Sequence, residues 1–167
     1  MTINMDILVC KLYAQLEGVD FEETFSPVAR LESIRMFLSF TCYKNFKVYQ
    51  MDVKYAFLNG ELEEVYVEKL EGFLLSENRN YVCKLKKELY GLKQAPRAWF
   101  SRLDKYLKKQ GYRRGANVSN LYIKLEIKNM IIVVVYVDDI IFGSDLQIMS
   151  VNFSSKMKKE FDMSMLG

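Results

Sequence analysis

Apolar residues recur at two different spacings along the chain, and the changes of spacing mark its elements. Over residues 31–43, Ile34, Phe37, Leu38 and Thr41 fall at helical intervals after the Ser26-Pro27 break, predicting a helix with one buried stripe. Residues 47–51 alternate instead. Val48 and Gln50 share one face and Tyr49 and Met51 the other, which is the period of a strand, and this one ends at Asp52. Asn59-Gly60 is a turn signal, and Val65, Tyr66 and Val67 beyond it predict a return strand. The 95–110 stretch carries Trp99, Leu103, Tyr106 and Leu107 on one stripe, with Pro96 tolerated in the first turn and Lys105, Lys108 and Lys109 turned outward. Two antiparallel strands over 121–127 and 131–137 are expected around Lys128-Asn129-Met130, followed by a last helix over 146–161. This order, with the Asp52 strand pairing to a distant hairpin, predicts an α+β fold.

One stretch breaks the pattern. In Tyr136-Val137-Asp138-Asp139 two carboxylates stand between the apolar runs 131–135 and 140–142, where burial favours no acid. A polar pair between two Ile- and Val-rich strands reads as a hairpin with the acids at or beside its turn. Like charges side by side repel, and desolvating them costs several kcal/mol unless a cation or hydrogen bonds compensate. An isolated Asp-Asp is usually a solvated turn. If the Asp52 strand lies beside this hairpin, however, Asp52 and Asp138 meet across neighbouring strand ends. That arrangement suits two-metal phosphoryl transfer, in which ions about 3.5 to 4 Å apart stabilise the attacking and leaving oxygens, and carboxylates are the ligands Mg²⁺ prefers.

Composition removes other chemistries. The chain has 167 residues, half of them hydrophobic, enough for the core of one domain. No apolar run reaches the roughly 18 residues of a membrane span. There is no histidine, so Ser-His-Asp triads and the usual zinc sites are excluded. Cys10, Cys42 and Cys83 are far apart and form no metal spacing; they are expected to be reduced and buried. The net charge of +3 hides an asymmetry: residues 83–128 hold 13 Lys or Arg against 3 Asp or Glu. One such helix alone would be read as a solvated face, but a basic block sharing a chain with three potential metal carboxylates points to phosphate.

Four strings, DFEETFSPVARLESIRMFLS, YQMDVKYAFLNGELEEVYVE, VCKLKKELYGLKQAPRAW and VVVYVDDIIFGSD, resemble in sequence and order the reverse transcriptase domain of copia-type long-terminal-repeat retrotransposons. The resemblance covers nearly the whole chain. It implies a polymerase palm, an antiparallel sheet backed by helices, with partial fingers (about 1–35 and 60–85) and no thumb, RNase H or integrase. It implies RNA-directed DNA synthesis on an RNA template and DNA primer, with deoxynucleotides as substrate and two Mg²⁺ ions (Mn²⁺ as a substitute) held by Asp52, Asp138 and Asp139. Val53, Phe57, Tyr90 and Gly91 would line the nucleotide pocket, Phe57 excluding a 2′-hydroxyl; the alternative for Phe57 is plain core. Lys84, Lys86, Lys87, Lys93 and Arg97 are the candidate nucleic-acid contacts, and Arg30 and Arg35 are further cations able to meet phosphates. The parent element would place the domain in a larger polyprotein, within a cytoplasmic virus-like particle.

The chain also departs from that family. Where the family shows a string like KARLVAKGYTQ, residues 5–15 read MDILVCKLYAQ, with Ile7 at the arginine that clamps the triphosphate and Leu12 at a glycine. The bend after Gly60 is one residue short, and the sequence stops where the family continues into the primer-gripping strand. The expectation is a truncated copy with little or no activity alone. A non-catalytic nucleic-acid-binding relic is the competing reading; a structural module with a ligand-free acidic turn is the third.

Overall fold

The computed structural model describes residues 9–10, 15–19, 21–24, 26, 31–60, 65–67 and 82–166. Helix α1 (Leu31–Tyr43) has the expected bounds. Its buried stripe is Ser33, Phe37 and Thr41, whereas Leu38, expected in the stripe, is 46% exposed because it lies one residue, about 100°, round from Phe37. The helix stops at Asn45, whose φ of 54° only a few side chains tolerate, and Phe46 N–H closes the end on Thr41 O at 2.8 Å.

Strand β1 (Lys47–Val53) and a 3₁₀ turn over Ala56–Asn59 follow. The ribbon of β2 (Tyr66–Val67) and β3 (Cys83–Lys84) stands apart from the main sheet. The rest of the described chain is α2 (Ala95–Lys109), β4 (Arg113–Arg114), β5 (Leu121–Glu126), β6 (Asn129–Tyr136), β7 (Asp139–Ser144), α3 (Gln147–Glu160) and β8 (Met163–Met165). Six strands form one sheet in the order β4-β5-β6-β7-β1-β8, and every neighbouring pair is antiparallel. Helices packed on an antiparallel sheet, with no parallel pair in it among the described residues, are the α+β architecture expected.

Both faces of the central strands are covered, so β6 is buried without interruption from Ile131 to Val135. On one face α2 and α3 pack Trp99, Leu103, Leu107, Phe153 and Met157 against Met51, Val53, Val133, Val135, Ile140 and Phe142. On the other, Phe37 and Phe46 cover Ile132 and Val134. No helix among the described residues is long and apolar enough to cross a membrane.

Three sequence expectations shift. The β5–β6 turn is Ile127-Lys128, one position early, because Glu126 pairs with Asn129; Ile127 takes φ 56° and is fully exposed. Gly60 does not turn a hairpin back onto β1, since the return strand pairs with β3. Gly60 has φ −60° and lies so close to α2 that a Cβ would meet Ala98 Cβ at 2.9 Å; it is a packing glycine. The cysteines are free, but Cys42 and Cys83 are exposed and Cys10 is half-buried, correcting the expectation of burial.

Candidate active site

Strand alternation decides which face carries the acids. Met51 and Val53 enter the core under α2 and α3, so Asp52 between them points to the opposite face. Ile140 does the same in β7, which turns Asp139 to the side of Asp52. The register joins them: Asp52 is paired directly with Asp139. Directly opposite residues of an antiparallel pair have Cβ atoms about 4.5–5.5 Å apart. Asp138 lies in the two-residue turn Val137-Asp138, closed by the Tyr136–Asp139 pair. Two carboxylates on strand ends and a third in the turn between neighbouring strands are therefore brought together.

The electrostatics agree with this proximity. Burial raises the Asp52 carboxyl above the ordinary carboxylate range, and Asp138 and Asp139 raise it further, while Lys54 opposes them. Gln50 Nε2 donates to Asp139 Oδ1 at 2.9 Å across the strands. Among the described residues no group of three or more acidic or thiol side chains is placed to hold a metal ion by itself. Mg²⁺ does not require one: it keeps several waters and is typically held by one or two carboxylates together with substrate phosphates. A hard, oxygen-only, mutually repelling donor set fits that ion.

The turn itself is held on two sides. Trp99 Nε1 donates to Val137 O at 2.7 Å, and Val53 N–H donates to Asp138 O at 2.9 Å. Trp99 belongs to the core, as expected, and is 1% exposed; its indole N–H also fixes the acidic turn. Neither bond was foreseen from sequence, although a buried indole N–H requires an acceptor somewhere. Val137 pays with a φ of 56°, unusual for a β-branched residue. Tyr55, three residues after Asp52, takes φ 53°.

The predicted nucleotide-pocket residues divide. Phe57 and Tyr90 stack obliquely, ring centroids 4.7 Å apart. Burial raises the Tyr90 phenol, and Asp138 and Asp52 add to the rise, which puts this wall beside the carboxylates. Phe57 also packs against both neighbouring cores, as its core reading expects. Val53 is 2% exposed with its N–H committed to Asp138; it supports the turn and offers no side chain to a ligand. Gly91 has φ 88°, and a Cβ there would collide with the Cys10 carbonyl oxygen. The close approach it permits is that of Cys10, whose N–H donates to Tyr90 O at 2.7 Å.

The predicted nucleic-acid contacts divide too. Lys86 and Lys87 are exposed, and Lys84 lies over the Tyr66 ring. Lys93 Nζ instead donates to Gln15 O at 3.1 Å and sits over the Phe21 ring, and Arg97 pairs with Glu23. Both are engaged within the chain, Lys93 by Gln15 and Phe21 and Arg97 by Glu23. Arg35 is exposed; Ile7, Leu12, Arg30 and the 61–64 bend lie outside the described residues.

Residues 5–167 match the family described as reverse transcriptase (RNA-dependent DNA polymerase). The chain belongs to that family. It is 44% identical over 163 residues, 96% of its length, to the retrovirus-related Pol polyprotein from transposon TNT 1-94 of Nicotiana tabacum, of which it covers 12%. It is equally similar, 44% over 140 residues, to the Pol polyprotein from transposon RE1 of Arabidopsis thaliana, covering 83% of this chain and 10% of that protein. A putative transposon Ty5-1 protein of Saccharomyces cerevisiae is 35% identical over 118 residues, 70% of this chain and 38% of the relative. The chain thus spans about a tenth of the plant polyproteins it matches. No solved structure matches it.

Proposed function

We propose that this chain is the palm, with part of the fingers, of an RNA-directed DNA polymerase that works within a longer polyprotein, extending a DNA primer on an RNA template. The observation that carries the reading is the register of β1 on β7, which sets Asp52 opposite Asp139 beside the Asp138 turn. Asp52 and Asp138 are the metal ligands, and Asp139, one oxygen of which is engaged by Gln50, supports them. Divalent ions bound there, Mg²⁺ or Mn²⁺, supply Lewis acidity toward the primer hydroxyl and the triphosphate.

The chain's own residues set geometry and selection. The primer 3′-hydroxyl gives up its proton to solvent as its oxygen attacks the α-phosphorus, the bond to the β-phosphate oxygen breaks, and pyrophosphate leaves. Trp99 and Val53 hold the acidic turn still while this happens, a preorganisation in which misplacement by about 1 Å can cost 10²-fold in rate. The Phe57 ring, braced by Tyr90 and two cores, makes a wall that accepts deoxyribose and rejects a 2′-hydroxyl on steric grounds. Lys84, Lys86 and Lys87 meet template or primer phosphates without reading sequence. In the parent element this takes place inside a cytoplasmic virus-like particle.

Deoxynucleotide binding to the purified chain, measured by calorimetry with Mg²⁺ and again with chelator, tests the proposal. Binding that requires the ion and is lost in Asp138→Asn is the expected result. The relic reading predicts no ion-dependent nucleotide binding but steeply salt-dependent nucleic-acid binding that is the same in chelator as in Mg²⁺; that outcome would replace the proposal.

A further inference from the structure

Arg102, Lys105 and Lys109 recur at i, i+3 and i+7 on α2, one face extending over about 10 Å of helix. Across from them α3 presents Lys156 and Lys159, and a shallow cleft of about 430 Å³, open to solvent, lies between the two helices. Five cations and a single acid, Glu160, line it. Glu160 is spent on Arg102, which it meets at 2.9 Å, and the Arg102 guanidinium also lies over the Phe161 ring. The four lysines are exposed. Attraction of cations to helix C-termini accounts for Lys109 and Lys159 in the last turns. It does not account for both helices directing their cations into one concavity.

We infer that this α2–α3 cleft is a second binding site for single-stranded nucleic acid, recognised through its phosphates. The cleft lies on the outer side of the helices that cover one sheet face, whereas Asp52 and Asp139 belong to the other face. Phosphates held here are therefore not the ones that react at the carboxylates. Charge favours a polyphosphate over an amphipathic peptide: the lining nets four positive charges. The ring of Tyr106 is already packed edge-on against Phe161, and its hydroxyl donates to Lys156 O at 3.0 Å, leaving no apolar anchor for a peptide side chain. Backbone contacts of this kind hold a strand without reading its bases.

The test is lysine-acetylation footprinting of the whole chain with a 12-residue oligouridylate in EDTA, joined to fluorescence anisotropy across a salt series. Lys105, Lys109, Lys156 and Lys159 should be protected. Four lysine–phosphate contacts predict a log–log salt slope of about −2.8, roughly 50-fold weaker binding between 50 and 200 mM salt. Replacing the four lysines by alanine should remove that salt-dependent component, and replacing Lys128 and Lys158, exposed lysines outside the cleft, should leave it. Protection confined to Lys84, Lys86 and Lys87, or displacement of the oligonucleotide by polyglutamate at equal charge, would overturn the inference. Footprinting of the unaltered chain keeps the test decisive should the fourfold variant misfold. Asp138→Asn should not change the footprint, so failure of the polymerase proposal and failure of this one are separately visible.

Discussion

Val137 is held in a conformation its side chain resists. A β-branched residue at φ 56° stores backbone strain of order 1–3 kcal/mol, and here the strain is maintained by the Trp99 and Val53 hydrogen bonds on either side of the acidic turn. Val137→Asn, which tolerates this region, should therefore stabilise the chain by about 0.5–1 kcal/mol in urea denaturation; a loss of stability would show that the turn is not strained. Trp99→Phe should act oppositely, costing about 2 kcal/mol through a lost buried hydrogen bond and a smaller ring. Asp52 carries a pH signature. Because its folded pKa is raised, the folded chain binds the proton more tightly than the unfolded chain does, so ionised Asp52 penalises the fold at neutral pH and not at low pH. Asp52→Asn should accordingly raise stability at pH 7 by about 0.5 kcal/mol, after allowance for solvent screening, and the gain should vanish below about pH 4. Thermal melts at both pH values decide it, and an equal gain at both would contradict the repulsion.

At the scale of elements, the acidic turn and the aromatic wall reach each other only through packing of distant segments. Gly91 is one joint, since its backbone must accept the Cys10 strand segment at van der Waals distance. Gly91→Ala should detach that segment, seen as faster hydrogen exchange at the Cys10 amide, and destabilise the fold by more than about 1 kcal/mol; unchanged exchange would refute the joint. Much at this scale was legible in the sequence. Periodicity placed α1, α2, α3 and the β5–β6 hairpin within one or two residues, because each buries a stripe or face that local spacing records. What misled was punctuation. Asn59-Gly60 reads as a hairpin, but only the approach of α2 reveals that Gly60 serves packing, and the partner of β2 lies far along the chain. The proximity of residues 52 and 138–139 followed from strand ends and a guessed pairing. By contrast, the indole bond to Val137 and the capture of Lys93 and Arg97 by the 15–23 segment are tertiary events with no local signal.

For the molecule as a whole, the two faces of the sheet carry opposite charge: carboxylates at the end of one, a basic helical cleft beyond the other. Purified alone, the chain should extend a primer on RNA poorly. Arg97 and Lys93 make contacts within the chain, and residue 7 is isoleucine where the resemblance in sequence implies an arginine. Robust metal-dependent synthesis, abolished in Asp138→Asn, would refute that expectation. The central claim, that Asp52 and Asp138 hold cations in common, is tested most directly by titrating Mn²⁺ into the isotope-labelled chain and following paramagnetic broadening of its amide signals. The account predicts broadening that begins at Asp52, Val53 and Val137 to Asp139 together and disappears when Asp52 and Asp138 are both replaced by asparagine. Broadening that begins elsewhere, or that survives the double replacement, would contradict it.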